Sequence, residues 1–539
     1  MRMPLTLAIG ILCLNMGNPG STLAAPNPDL DALSQGSVVQ FNGTERISQP
    51  FVFDLDITTP SSALNFDNIV GRPFQIAAAR GRMVVGMIEG IEQIGVSGPQ
   101  GQYRIRLVPA LNRLAYRIAN RTFEDMTPVQ IISTLLNEAG ISGFDIRLNA
   151  SIPSQELTLQ YQESELDFFS RLLEDEGIHY HFETTTSGEK LILGDSNGAF
   201  PVLSPGKLIY GTKTSPSITA FSRGQALHSG KVQTGDFNWR IPQANLTATV
   251  QTPSFSEFQE DAFPAPVLTP QTSQRFAGLR LGARVTEREV CRGESTYPQL
   301  QTGFRFLLVG HPRNDFNQEY VITGVDHQGS SKSYRNTFTC IPANLLFRPS
   351  PATPRPVVTG VVPGLVVGPP GEVKYVDQLG RVRVRFPWRN PSLTNKTAGD
   401  AGWIRVAQLG TGKGTSAMWI PEIDDEVVVA FEHGDPNRPV VLGNMWNGKD
   451  LPPVSQPANK FLSLFQTRSI AGTLNEILFD ATKDQERLIF RSGNQYLQLS
   501  PQGITASSAI TVPTSPTPKL QPAAPSELRI APRTFPQKQ

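Results

Sequence analysis

Metal or nucleophile chemistry in this 539-residue chain would draw first on its 6 histidines and 3 cysteines. His179 and His181 lie two apart in IHYHFE, and a strand sends both side chains to one side. Two imidazoles so placed can begin a metal site, but no third ligand stands at a suitable spacing, which favours aromatic-polar strand residues. His228, His311, His327 and His433 accompany no Ser or Cys in a nucleophile motif. Cys291 and Cys340 are far apart, lack metal spacing and read as core thiols; a disulfide between them requires an oxidising compartment. Glu174 and Glu176 read as the solvated side of a helix. LGTGKGTS, from Leu409 to Ser416, looks like a phosphate loop but places Gly414 after Lys413, where Ser or Thr is required. A loop between strands is the better reading, and no cofactor is expected.

The arginines of VDQLGRVRVRFPW pose a sharper choice. Arg381, Arg383 and Arg385 alternate with Val382, Val384 and Phe386. They either line a groove for a phosphate backbone or form the wet side of a half-buried strand. Interleaved aromatics are missing from their side of the strand. The net charge is +1, from 48 basic and 47 acidic residues, which argues against binding a polyanion by bulk charge. The barrel-wall reading is favoured, and no nucleic acid is expected.

The elements that must position these residues are mostly strands. Gly and Pro number 46 and 45, and apolar residues make up 39%. FVFDLDI, MVVGMIEGIEQIGV and YRIRLVPAL carry period-two patterns with one apolar side. Two helices interrupt them. TPVQIISTLLNEAG has Thr127 as cap, Pro128 at the first position and Gly140 as stop. SELDFFSRLLEDEG has Ser164 as cap, Asp167 as a capping-box-like partner and Gly177 as stop. The stretch after Arg348 is rich in Pro, Val and Gly and reads as a linker. GEVKY reads as a strand before a turn at Asp377 to Gly380. Several short strands follow in about a hundred residues, which suits a small OB-type barrel. Ile477, Phe479, Leu488, Phe490, Leu497, Leu499, Ile504 and Ile510 mark short strands whose apolar side one chain cannot enclose. Residues from Pro513 onward are Pro-rich and look disordered or wrapped on a partner. At the other end, Arg2, the apolar run around Cys13 and STLAAP resemble an export signal, the alternative being a buried strand or an unusual extension.

The stretches ISQPFVFDLD, YRIRLVPAL, YQESELDFFSRLLEDEGIHYHF, YRNTFTCIPANLLFRP, GRVRVRFPW, WIRVAQ and IPEIDDEVVVAFEHGDPNRPVVLGNMWN follow one another along the chain. In that order they resemble the VgrG spike proteins of type VI secretion, and the related hub and spike proteins of contractile phage tails. The resemblance implies a mainly β fold with two short helices: a tube-like β-barrel hub, an OB-fold barrel and a short trimeric β-prism stub. The corresponding division is 1–30, an export-signal-like or atypical extension; 37–348, the hub; 349–366, a linker; 367–450, the OB domain; 451–512, the neck and stub; and 513–539, the tail.

A non-enzymatic homotrimer is implied, capping a hexameric inner tube, touching baseplate components and a target membrane, and carrying a PAAR-type tip protein or effector. It would assemble on a bacterial cytoplasmic machine and pass to the exterior or a target cell. A phage-type baseplate hub and an exported OB-fold binder of glycan or nucleic acid stand as alternatives. The inter-subunit or structural residues are Arg381, Arg383, Arg385, Asp424, Glu426, Asp435, Ile477, Phe479, Leu497 and Leu499. Asp424 stands where the family usually has Gly in a tight turn. In a trimer, some of these arginines are expected to pair with acidic residues of a neighbouring copy, such as those of EIDDE.

Overall fold

The computed structural model describes residues 27–78, 81–185, 188–211, 216–388, 402–412 and 414–508. The export-signal-like start before Asn27, Cys13, Lys413, Ile510 and the Pro-rich tail therefore lie outside the described residues. The chain divides into two units, Met1–Met445 and Trp446–Gln539.

An eleven-stranded sheet dominates the first unit. Six of its strands close a ring: Arg305–Val309, Val202–Tyr210, Ser217–Gln225, Glu289–Ser295, Tyr334–Pro342 and Glu319–Ser330, the last pairing back onto the first. The sheet continues from Glu319–Ser330 through Ser37–Arg46, Gln49–Thr59, Gln100–Val108 and Met83–Ser97 to Pro73–Ala77. Its alternation is the one read from sequence. Phe51, Phe53, Leu55 and Ile57 are buried, and Tyr103, Ile105 and Leu107 join them in the same core. On the other side Arg104 and Arg106 stand opposite Asp56 and Asp54 and donate to them through Nε, each at 2.8 Å. Opposite charges directly across a strand pair are the favourable arrangement.

The described residues hold four α-helices: α1 (Pro28–Ser34), α2 (Pro128–Glu138), α3 (Glu165–Glu176) and α4 (Pro270–Arg288), the last packed on a separate three-stranded sheet. Thr127 and Gln130 close a full capping box on α2, which buries Ile131, Ile132, Leu135 and Leu136. Such a cap contributes about 1 kcal/mol. On α3 the Ser164 hydroxyl accepts the Asp167 N–H and itself donates to the Asp167 carboxylate, so the cap is not a reciprocal box. Gly177 ends α3 at φ 66°, a left-handed position suited to glycine.

The expectation of two helices misses α1 and the 19-residue α4. In α4 the buried face is built from small residues, Ser273, Ala277, Ala283 and Thr286, with only Phe276 and Leu281 as large apolar anchors. That face carries little periodic hydrophobicity. The readable signal was Thr269 as cap and Pro270 at the first position.

A closed barrel follows in the order Val361–Val367, Val382–Arg385, Gly402–Val406, Pro439–Met445, Glu426–Phe431. Two expectations are corrected here. Residues 361–366, placed in the linker, form most of the first barrel strand, whereas GEVKY forms no strand. Pro363 and Gly364 disguise the strand. A Cβ at Gly364 would stand 2.4 Å from Val384 Cγ1, so the narrow barrel demands glycine there.

The second unit is a five-stranded antiparallel meander: Leu462–Arg468, Leu474–Asp480, Arg487–Ser492, Gln495–Ser500 and Gly503–Ala506. Among the described residues no helix is long and apolar enough to cross a membrane.

Candidate functional site

Val382 and Val384 are fully buried in the barrel core with Val366, Ile404, Val427, Val429 and Val441. Alternation then puts Arg383 and Arg385 outside, Arg383 opposite Trp403 and Arg385 opposite Leu365 on neighbouring strands. The outer side is not wet throughout. Arg381 is only 8% exposed. Its Nε donates to Asp377 Oδ2 at 2.7 Å and its Nη1 to Glu156 Oε1 at 2.8 Å. Arg383 Nη2 donates to both carboxylate oxygens of Glu124 at 2.6 Å. Burial raises the Glu124 carboxyl above the ordinary carboxylate range, although Arg383 pulls it back.

Glu124 and Glu156 belong to the two-stranded ribbon of Ile118–Met126 and Gln155–Ser164, so the same chain supplies these partners. Within one chain, the ribbon supplies carboxylates to both Arg381 and Arg383.

Other contacts tie the same parts. Leu157 and Leu159 pack onto the barrel core, and the Leu159 N–H donates to Asn437 Oδ1 at 2.7 Å. Arg438 Nη1 donates to the buried Asp236 at 2.7 Å, and Nη2 to the Ala265 carbonyl at 3.0 Å. Aromatic rings do accompany the arginines, but other segments supply them. Trp239 stacks under Arg240, Arg381 and Arg405 at 5.0, 5.6 and 4.8 Å, and Trp403 under Arg381 and Arg383 at 6.0 and 5.6 Å. Beside them lies a cavity of about 240 Å³ lined by Trp239, Trp403, Arg381, Arg405, Glu432 and Arg438. Arg405 pairs with Glu432 and Arg240 with Glu156, so these guanidiniums are neutralised from within the chain. Such an arrangement locks two parts of a fold together; it does not present free charge to a phosphate backbone.

Asp424 adopts φ 74°, the left-handed region, and its N–H donates to the Val366 carbonyl at 2.9 Å. Glu426 opens a barrel strand opposite Leu365 and Met445. Asp435 shapes the following turn, accepting the Asn437 N–H at 2.9 Å, and lies 3.5 Å from Arg438 Nε.

The distal meander brings Ile477, Phe479, Leu497 and Leu499 onto one face. Cross-strand register aligns Ile477, Phe490, Leu497 and Ala506 in one row, and Phe479, Leu488, Leu499 and Ile504 in the next. Phe479, Phe490 and Ile504 are 45%, 43% and 69% exposed. A soluble sheet normally buries a face of this composition.

Residues 44–333, more than half of the chain, match the family model of the phage tail baseplate hub (GPD). The chain belongs to that family. Residues 362–446 match a second model, the type VI secretion system/phage-baseplate injector OB domain. The hub-family chain is 29% identical over 483 residues to the type VI secretion system spike protein VgrG1b of Pseudomonas aeruginosa, covering 84% of itself and 65% of that relative. With VgrG5 of the same organism it shares 32% over 493 residues, 84% of itself and 61% of the relative. It thus spans less than two thirds of the length of these relatives. Among solved structures, the fold matches E. coli c3393, described as a type VI secretion component similar to T4 tail proteins gp27 and gp5. That match has TM-score 0.58, 23% identity and coverage of 76% of this chain and 97% of the other. The mainly β fold with an OB barrel and the resemblance to VgrG spikes therefore hold.

In this hub-family chain His179 and His181 are buried against Phe200, with His179 also edge-on to Phe347. Burial lowers the His179 pKa to about 3. Among the described residues no cluster of three or more His, Cys, Asp or Glu is placed to hold a metal. Glu174 and Glu176 are not solvated as expected: Glu174 accepts the Thr353 N–H and hydroxyl, and Glu176 takes Arg275 Nη1 at 2.6 Å. Helical periodicity showed them off the apolar stripe but could not reveal that another segment covers them. A buried network of Glu45, Arg82, His327, Tyr334 and Asn336 was also missed. Glu45 and Arg82 come from one part of the chain and His327, Tyr334 and Asn336 from another more than two hundred residues on, with no spacing to link them.

Proposed function

We propose that the chain is a non-enzymatic spike subunit of a type VI-like contractile injection machine, working as a homotrimer. The observation that carries this reading is the apolar face of the distal meander. Phe479, Leu488, Leu499 and Ile504 stand in register across four strands, and Phe479, Leu499 and Ile504 are exposed. Each fully covered large apolar side chain stabilises by about 1.5–3 kcal/mol, so the face favours a cover made from copies of itself. Three meanders turned inward about one axis bury it and leave a stiff, narrow rod. The 37–348 hub would cap a hexameric inner tube within a baseplate, and the OB barrel, joined to it by the arginine–carboxylate clamps, would transmit thrust to the rod. A PAAR-type tip protein or effector would ride ahead toward a target membrane, after assembly in the bacterial cytoplasm. The paired arginines do not favour the nucleic-acid reading.

Light scattering on the full chain at micromolar concentration tests the proposal. A mass of three chains is expected. A well-folded single subunit with a protease-resistant distal region would sink the spike reading.

A further inference from the structure

Cys291 and Cys340 stand directly opposite one another on the antiparallel strands Glu289–Ser295 and Tyr334–Pro342. Opposed residues in such a pair have Cα atoms about 4.5 to 5.5 Å apart, inside the disulfide window of about 4.4 to 6.8 Å. The two residues are 2% and 1% exposed and share one core with Phe306, Tyr320 and Phe338. The row continues on both sides, with Arg223 opposite Cys291 and Ile322 opposite Cys340. A guanidinium, held by Glu289 Oε2 at 3.2 Å, thus sits in the same row as both thiols.

The thiols are unlike. The hydrogen bond to Cys340 holds the Cys291 thiol below its ordinary range, with burial and the Glu289 carboxylate opposing and Arg223 assisting. Burial pushes the Cys340 thiol up. A depressed, charge-assisted thiol is the one that attacks once an oxidant can reach it, during folding or when the strands open. Both cysteines are reduced in this structure.

We propose that Cys291 and Cys340 are a redox pair that closes to a cross-strand disulfide when the chain meets a disulfide-bearing oxidant, with Cys291 attacking, Cys340 resolving and Arg223 favouring the attacking thiolate. Cys291 Sγ, having lost its proton, attacks one sulfur of the oxidant and expels the other as a thiolate. Cys340 then loses its proton, and its Sγ attacks Cys291 Sγ, expelling the second oxidant thiolate. The oxidant gains two electrons and ends as two thiols, taking up the two protons that the cysteines release. The new bond spans the segment carrying Arg305–Val309 and Glu319–Ser330, and so staples the six-stranded ring. The inference stands independently of the spike reading.

The test incubates the full chain with oxidised glutathione, alkylates free thiols, and maps the unreduced digest by mass spectrometry. Because both thiols are buried, a second sample is refolded from denaturant in the same glutathione buffer. A linked peptide pair carrying Cys291 and Cys340 is expected, reversed by dithiothreitol and accompanied by a raised thermal midpoint. Both cysteines recovered alkylated under both regimes would overturn the proposal. So would a stable glutathione adduct on Cys291 beside a free Cys340. Arg223→Gln is expected to slow closure in the native chain several-fold, and Arg223→Lys to restore it. Equal rates in all three proteins would overturn the role given to Arg223.

Discussion

Arg383 and Trp403 face each other across neighbouring barrel strands, and the guanidinium that lies 5.6 Å from the indole centroid also grips Glu124 through Nη2. One side chain thus joins the barrel wall to the ribbon outside it. The Arg383 and Glu124 side chains are only 13% and 16% exposed.

Removing one partner strands the other. Arg383→Ala is expected to lower stability by ~3 kcal/mol, because Glu124 keeps its burial and loses its counter-charge. Arg383→Ala combined with Glu124→Gln is expected to cost clearly less than the two single changes summed. Urea unfolding of the four proteins in a double-mutant cycle measures this, and strict additivity would remove the clamp from the account.

The distal face gives a second expectation. Ile477→Asp with Phe479→Asp places two carboxylates among Phe490, Leu488 and Leu497. Scattering mass is expected to fall from three chains to one at micromolar concentration. The melting of the first unit, followed by near-ultraviolet dichroism, should stay within a few degrees of the parent. An unchanged mass would show that the face is not the trimer seam.

Asp424 offers a local test of backbone conformation. At φ 74° a β-branched residue is strained, so Asp424→Val is expected to cost ~1–2 kcal/mol, while Asp424→Gly should be neutral or slightly stabilising. Denaturation midpoints of the three proteins compare them directly. Equal stability of the Val and Gly proteins would contradict the strain argument.

Acid should weaken the fold before it reaches the ordinary carboxylate range. Burial lowers His327 from 6.5 to about 4 and His179 from 6.5 to about 3. Between pH 6.5 and those values the unfolded chain binds protons that the folded chain refuses, so stability rises with pH across that window. Glu189 opposes this, since burial lifts it from 4.5 to about 7 and its contribution fades as pH rises through that span. Glu45 is held at about 2 against its burial by Arg82 and His327, and its contribution fades as pH falls from 4.5 toward that value. The thermal midpoint should therefore drop from pH 7 to pH 4. His327→Gln should flatten the profile and Glu189→Gln should steepen it. A profile unchanged by both substitutions would refute the assignment.

What could be read from the residue order and what could not follow from the range of each interaction. The strands around Phe53, Ile105 and Val384 were legible because a pleat alternates side chains with a period of two, whatever the rest of the chain does. The α2 and α3 boundaries were legible because Thr127, Ser164 and Gly177 act on backbone groups within one helical turn. Ile477, Phe479, Leu497 and Leu499 could be marked as an apolar side for the same local reason. By contrast, α4 hides because its buried residues are small, and the first barrel strand hides behind Pro363 and Gly364.

The partners of a charge lie beyond any local rule. Arg381 and Arg383 were seen on the outer side of a strand, but Glu124, Glu156 and Trp239 reach them from segments more than a hundred residues away. Cys291 and Cys340 likewise offered only a conditional disulfide until strand register set them side by side. The sequence alone determined which side of each element seeks burial, since that depends on neighbours within a few residues. Only the tertiary structure decided which buried groups meet, because burial is blind to identity while hydrogen bonds, ion pairs and sulfur contacts require particular atoms within a few ångströms.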